Sequence, residues 1–257
     1  MNKKRKKIRV KREIERGRKG VRKMIQRIQI EEKRYSRNFS ALTIEEQSLL
    51  SRACVGVCGC GGIGGYVVEM LARIGIGTLV LIDCDSFDET NLNRQILATE
   101  KSVGRRKVQV ARERVLSINS CVNIVAFDER ITDKNIDTLL RGCDVVVDAL
   151  DSFSTRFQVE KWCEGANVVM VHGAIGGWYA QVSTIAPGSG SLAKIYPDEA
   201  LVEVDKSQGN PSFTPAFAAS LEVSECIKVL TGKGNALYGK LLVADLLHGT
   251  QRVIDLS

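Results

Sequence analysis

The chain has 257 residues, 44% of them hydrophobic and 26% charged, which suits a soluble globular protein with core enough for one large domain or two small ones and excludes a disordered or fibrous chain. Its apolar runs fall short of the roughly 20 residues that span a bilayer, so no membrane segment is expected. The net charge of +7 is unevenly placed: residues 1–34 hold 16 Lys and Arg against 4 Glu, whereas the rest holds 21 basic against 26 acidic residues.

The basic arm, residues 1–33, lacks the apolar core of a signal peptide and carries acids that transit peptides avoid, so it reads as a retained extension. Its apolar residues are sparse and Gly17 and Gly20 interrupt it. It is expected to be a solvated, partly helical tail, with weak nucleic-acid attraction as its alternative role.

From Ala53 onward apolar strands alternate with amphipathic helices, the pattern of a mostly parallel sheet covered on both faces. Strands are predicted over 53–58, 78–83, 122–127, 144–150 and 168–172, the continuous apolar ones fitting burial on both faces. Helices are predicted over 64–74, with Val67, Met70, Leu71 and Ile74 on one stripe, and over 107–118 and 153–163. Beyond His172 the segments QVSTIAP and KLLVADLLHGTQRVIDLS read as more antiparallel strands, separated by a long loop over 188–215 and a helix over 216–230. The expected fold is therefore α/β and Rossmann-like, with a more antiparallel C-terminal extension, as a single domain over 34–257.

Eight cysteines with no secretory signal before them, most within apolar runs, read as reduced thiols of a cytoplasmic protein. No CxxC occurs and only His172 and His248 could serve as imidazole ligands, so no zinc site is expected.

The chemistry is concentrated in a few short segments. Gly59-Cys60-Gly61-Gly62-Ile63-Gly64 lies between a predicted strand and helix, and Asp83 stands 19 residues past Gly64. Glycines let backbone approach phosphate, the helix start supplies N–H donors, and the acid can accept from ribose hydroxyls. A purely structural glycine turn is the alternative. Asn91, Arg94, Gln95 and Lys107 follow, a set of donors and cations that a triphosphate needs and a nicotinamide dinucleotide does not. Arg94 and Lys107 can offset charge on a departing pyrophosphate. Asp151, placed at the end of the strand 144–150, falls at the carboxyl edge of the sheet and can hold magnesium, with Asp148 the weaker candidate. Any one of these residues taken alone could equally be a surface ion pair.

The segments GCGGIGG, LIDCDSFDETNLNRQ, 104–107 and DALDS resemble the ThiF/MoeB/HesA family, bacterial relatives of ubiquitin-activating enzymes, over roughly residues 34–257. The resemblance implies an adenylyltransferase that uses ATP and magnesium to activate the C-terminal glycine of a ubiquitin-like sulfur carrier protein ending in Gly-Gly, with release of pyrophosphate. It further implies that Gly59, Gly61, Gly62 and Gly64 form the nucleotide loop, Asp83 holds the ribose, Asn91, Arg94 and Lys107 contact phosphates, and Asp151 binds magnesium. Gln95 belongs to the same motif. Arg34-Tyr35-Ser36-Arg37 resembles an RYxR segment whose second arginine, Arg37 here, reaches the ATP of a partner subunit, which implies a homodimer. The pathway implied is thiamin, molybdopterin, tungstopterin or related sulfur metabolism.

Two departures from the family are visible. The paired CxxC motifs of many relatives are missing, and residues 203–217 contain no cysteine for a thioester or acyl-disulfide step. The enzyme is therefore expected to stop at the acyl-adenylate, with Cys226, Cys58, Cys60 and Cys163 read as packing residues. The alternatives are a tRNA threonylcarbamoyl adenosine dehydratase of the same fold, with the arm holding RNA, a nicotinamide oxidoreductase, which lacks a hydride-transfer partner here, and a binding protein without turnover.

Overall fold

In the computed structural model the described residues are 33–197 and 209–256. The basic arm up to residue 32 and the centre of the expected loop, 198–208, lie outside them. The described residues fall into two compact units that divide after Ile44. In the first, a helical turn at 33–35 leads to a bridge between Phe39 and Leu42; Tyr35 is buried and Arg37 is exposed.

The second unit is built on an eight-stranded sheet. Its elements in chain order are α1 Ile44–Leu50, β1 Cys54–Cys58, α2 Gly62–Ile74, β2 Thr78–Ile82, α3 Lys107–Ile118, β3 Asn123–Phe127, α4 Ile136–Leu140 and β4 Val145–Asp148, followed by α5 Phe153–Ala166, β5 Val169–Gly176, β6 Tyr179–Ile185, α6 Ser191–Ile195, α7 Phe213–Thr231, β7 Lys240–Asp245 and β8 Thr250–Asp255. Single 3₁₀ turns occupy Glu89–Asn91 and Glu100–Ser102.

The strand order is β3-β2-β1-β4-β5-β6-β7-β8; pairing is parallel from β3 through β5 and antiparallel from there to β8. β1 and β4 are the central parallel strands, and their valines 55, 57, 145, 146 and 147 are wholly buried. Each such side chain contributes about 2 kcal/mol of apolar transfer, which explains why these strands read as continuous apolar runs. The expectation of burial on both faces fails at the edge: β3 is largely exposed, because a terminal strand has a neighbour on one side only.

The chain runs outward in one direction through β1, β2 and β3, then returns to the other side of β1 as β4. The sheet therefore has its topological switch point between β1 and β4, where a crevice opens beyond the strands' carboxyl ends. Helix α7 lies along α2 and across β5 and β6. It starts at Phe213, three residues before its predicted start.

Two strand ends differ from expectation in ways that matter for the site. β4 ends at Asp148, so Asp151 stands in the turn after the strand. β5 continues to Gly176, because it pairs with β6 around a tight turn in which Gly177 has φ +55°. The short helices α1, α4 and α6 were not anticipated; at five to seven residues they carry too little periodicity to stand out. Among the described residues no helix is long and apolar enough to cross a membrane.

Candidate active site

The carboxyl edge of the sheet opens into a cavity of about 860 Å³ at the switch point. Its walls bring together Gly59, Gly61, Gly62, Asp83, Arg94, Gln95, Lys107 and Asp151. Gly64 and Asn91 stand behind the wall, and Arg37 belongs to the other compact unit.

The glycine loop follows β1 and opens α2. Gly59 has φ +97°, and a Cβ on it would lie 2.6 Å from the carbonyl oxygen of Ala149. A Cβ on Gly64 would fall 1.9 Å from the carbonyl oxygen of Gly59, so the loop folds back on the helix only because that atom is missing. The first N–H groups of α2 have no intrahelical acceptor, and Gly62 and Ile63 of its first turn line the cavity.

Asp83 follows β2 directly and fixes this loop: its carboxylate accepts from the N–H of Cys60 at 2.7 Å and from that of Asp85 at 2.8 Å. Burial raises its pKa, an effect that these two hydrogen bonds and the charge of Lys107 oppose. Lys107 begins α3, is nearly buried, and donates through Nζ to Asp85 at 3.1 Å. Burial also works against an ionised Asp85, but its bond to Lys107 and that ammonium's charge outweigh it and hold the carboxyl below its ordinary range.

The motif Asn91-Leu92-Asn93-Arg94-Gln95 is a 3₁₀ turn and its exit. Asn91 is buried and closes a capping box with Asp88, accepting from the Asp88 N–H at 3.3 Å. That turn presents Arg94, whose guanidinium donates to the Thr90 carbonyl at 2.8 Å and the Asn93 side chain at 3.0 Å. Gln95 is buried over Gly61, and its Oε1 has no hydrogen-bond partner.

Beside the glycine loop lies a second polar cluster, of which sequence reasoning named only Asp148, as the weaker magnesium candidate; Arg156, Gln181 and Tyr196 reach the cavity, whereas Asp148 and His172 are buried behind it. Asp148, the last residue of β4, and His172, in the middle of β5, are register partners, both wholly buried. Asp148 Oδ2 lies 2.7 Å from His172 Nδ1, and His172 Nε2 lies 2.9 Å from the Tyr196 hydroxyl. That hydroxyl accepts from Gln181 Nε2 at 2.5 Å and from Arg156 at 3.4 Å, so its own proton goes to His172 Nε2 and the imidazole carries its proton on Nδ1, towards Asp148. Burial lowers the ring's pKa more than Asp148 raises it, which favours the neutral form. Burial pushes the Tyr196 phenol up to about 12.

Arg156, on the first turns of α5, is buried beside this chain with Nε 3.5 Å from Asp148 Oδ2. Its Nε donates to the Leu150 carbonyl at 3.1 Å, and its Nη2 donates to the same oxygen. The sequence signal was a charged residue and an imidazole each following three apolar residues, in VVVD and VMVH. Behind them Glu222 of α7 is wholly buried with neither oxygen hydrogen-bonded, and burial, then Asp148, hold its carboxyl well above the ordinary range. It fits because residue 173 is glycine, where a Cβ would lie 2.4 Å from Glu222 Oε1.

All eight cysteines are free thiols. Burial raises Cys60 and Cys58 well above a normal thiol and puts Cys163 and Cys226 at about 12. These thiols are neutral, packed groups rather than nucleophiles.

Residues 35–257 match the ThiF family. The SAMP-activating enzyme E1 of Haloferax volcanii is 31% identical over 84% of this chain and 82% of its own. The sulfur carrier protein adenylyltransferase of Thermus thermophilus is 34% identical over 81% and 80%. Among solved structures, Escherichia coli MccB with ATP superposes with a TM-score of 0.76 at 28% identity, covering 87% of this chain and 71% of that one.

Proposed function

This chain is an adenylyltransferase of the ThiF family, and we propose that its acceptor is the C-terminal glycine carboxylate of a small ubiquitin-like sulfur carrier protein, activated by ATP with release of pyrophosphate. The observation that carries this reading is the convergence of the glycine loop, Arg94, Lys107 and Asp151 on one cavity at the switch point.

ATP fits the wall. The bare backbone of the loop suits phosphate, Asp83 suits ribose hydroxyls, and the orphaned Gln95 Oε1 requires a donor of the kind that a ribose hydroxyl or the adenine amino group supplies. Asp151 is an exposed carboxylate on the cavity and suits magnesium, which keeps few protein ligands and draws the rest from phosphate and water. When bound, that ion would neutralise phosphate charge.

The reaction joins a carboxylate oxygen to the α-phosphorus and breaks its bond to pyrophosphate. A carboxylate is already ionised at neutral pH, so no general base is needed; the residues have to position the reactants and cancel charge. Arg94 and Lys107 lie where they can face the departing pyrophosphate, and Asn91 supports the turn that carries Arg94. The resemblance of Arg34–Arg37 to RYxR supports a homodimer in which Arg37 serves the neighbouring site. Eight free thiols fit a reducing cytoplasm. The basic arm adds weak nucleic-acid attraction without a part in the chemistry.

Exchange of labelled pyrophosphate into ATP tests the reading. It should require magnesium and a carrier with a free C-terminal glycine. Exchange driven by tRNA in place of the carrier would make the chain a dehydratase-type activator of a nucleoside carboxylate. Tight NAD binding without response to ATP would exclude both.

A further inference from the structure

The turn from β4 to α5 carries Asp151, and the backbone of the preceding residue is held at both its N–H and its carbonyl. The Leu150 N–H donates to Asp148 Oδ1 at 3.0 Å, while the Leu150 carbonyl accepts two N–H groups from Arg156. One residue earlier, the Ala149 N–H donates to the Cys58 carbonyl at 2.9 Å, and the Ala149 carbonyl faces Gly59 so closely that no side chain could intervene. The backbone leading to Asp151 is thus held by buried side chains and by the glycine loop.

Arg156 is itself immobilised. It is 5% exposed, faces Asp148 through Nε and reaches the Tyr196 hydroxyl through Nη1, while the Tyr196 oxygen is held by Gln181 and His172. A guanidinium has a planar fork of donors that can grip one carbonyl with two N–H groups, which an ammonium cannot reproduce.

We propose that Arg156 is the positioning residue for Asp151: its two-pronged grip on the Leu150 carbonyl, braced by Asp148 and Tyr196, fixes the direction in which the Asp151 carboxylate enters the cavity. It acts through a peptide bond and leaves the charge on the metal to Asp151. Side chains that orient a metal-binding carboxylate change affinity by about 10- to 100-fold when altered, and a backbone clamp belongs at the lower end of that range.

This inference rests on the reading of Asp151 as the metal ligand, so the test separates the two. Manganese, as a spectroscopic stand-in for magnesium, is titrated by EPR into the full-length protein saturated with a nonhydrolysable ATP analogue. Asp151→Asn should weaken manganese binding. Arg156→Lys, which keeps the buried charge beside Asp148 but loses the fork, should weaken it about tenfold while affinity for the analogue without metal stays within twofold. In the Asp151→Asn background, Arg156→Lys should have no further effect on the metal. Should Arg156→Lys fail to fold, the charge-balanced pair Asp148→Asn with Arg156→Gln carries the same measurement and the same expectation.

If Asp151→Asn leaves manganese binding unchanged, the metal assignment fails. If it weakens binding but the Arg156 variants do not, or if their effect persists without the Asp151 carboxylate, the positioning role alone is overturned.

Discussion

The two walls of the cavity solve different physical problems. The nucleotide wall, made by the glycine loop, Arg94 and Lys107, offers N–H groups and cations to a ligand that is itself charged; part of its polarity is left open, as the unpartnered Gln95 oxygen shows. The second wall, made by Tyr196, Gln181 and Arg156 and backed by the buried Asp148 and His172, satisfies its polar groups internally and lies deeper in the protein. The first recruits charge from outside; the second holds a turn rigid. Substitution of the partly exposed Arg94 in the first should therefore alter chemistry with little effect on stability, and substitutions in the second should reach chemistry only through geometry.

The largest effect is expected at the open wall and at the acid facing it. Asp151→Ala and Arg94→Ala should each lower carrier-dependent pyrophosphate exchange on the order of a hundredfold, about 3 kcal/mol of transition-state stabilisation. Their urea midpoints should stay close to that of the parent, since both side chains are at least partly exposed. Near-normal exchange in either variant would dissolve the contrast between the walls.

The contrast is sharpened by pH through a carboxyl packed behind the closed wall. Glu222 is a carboxyl whose folded pKa stands well above its ordinary 4.5 because of burial. The folded state therefore binds a proton that the unfolded chain has released, and the associated stability is complete below about pH 4.5 and declines as pH rises towards the folded pKa. Glu222→Gln removes that proton equilibrium. Across the window above 4.5 its stability relative to the parent should rise by about 1.4 kcal/mol per pH unit, as read from urea unfolding at several pH values. A difference independent of pH would mean that Glu222 ionises freely in the folded protein.

His172 acts in the opposite direction. Its folded pKa is depressed, so its contribution is complete above about 6.5 and declines as the pH falls below that value. In His172→Gln that acid-side decline should shrink, leaving the Glu222 slope in place.

The two walls were also unequally legible in the sequence. Gly59–Gly64, Asp83, Arg94 and Lys107 form compact motifs in which local spacing already implies a turn, a helix start and a cluster of donors. The parallel half of the fold was legible for a similar reason: strands such as CVGVC and VVVD are continuous apolar runs because they are buried on both faces. The closed wall draws on residues 148, 172 and 181, which are brought together by the pairing of β4 with β5 and of β5 with β6, and on 156 and 196, which come from α5 and from the end of α6. No short window contains that information. The exact end of β4 escaped for the same reason: ALD continues an apolar run, and the strand stops because the Asp148 side chain caps the Leu150 N–H and draws the chain into a turn. Asn91, read as a phosphate contact, shows how a motif residue can sit inside the turn that it stabilises.

The smallest effect is expected where the open wall contains a group that resembles a catalyst. Cys60 lies within the glycine loop, the place where a thiol nucleophile would seem most threatening to an acyl-adenylate. Its side chain is wholly buried, and burial, reinforced by the Asp83 carboxylate, keeps it a neutral thiol. A neutral thiol facing the interior attacks nothing, and its main contribution is small apolar volume. The loop's ordering bond comes from the Cys60 backbone N–H to Asp83, which survives any change of side chain. Cys60→Ala should therefore leave carrier-dependent exchange within about twofold of the parent, and reactions with the carrier resolved without reductant should contain carrier adenylate and no carrier-linked enzyme. A reductant-sensitive conjugate that disappears in Cys60→Ala would show that the loop opens enough during turnover to expose and ionise this thiol, and the open wall would then contribute covalent chemistry as well as charge.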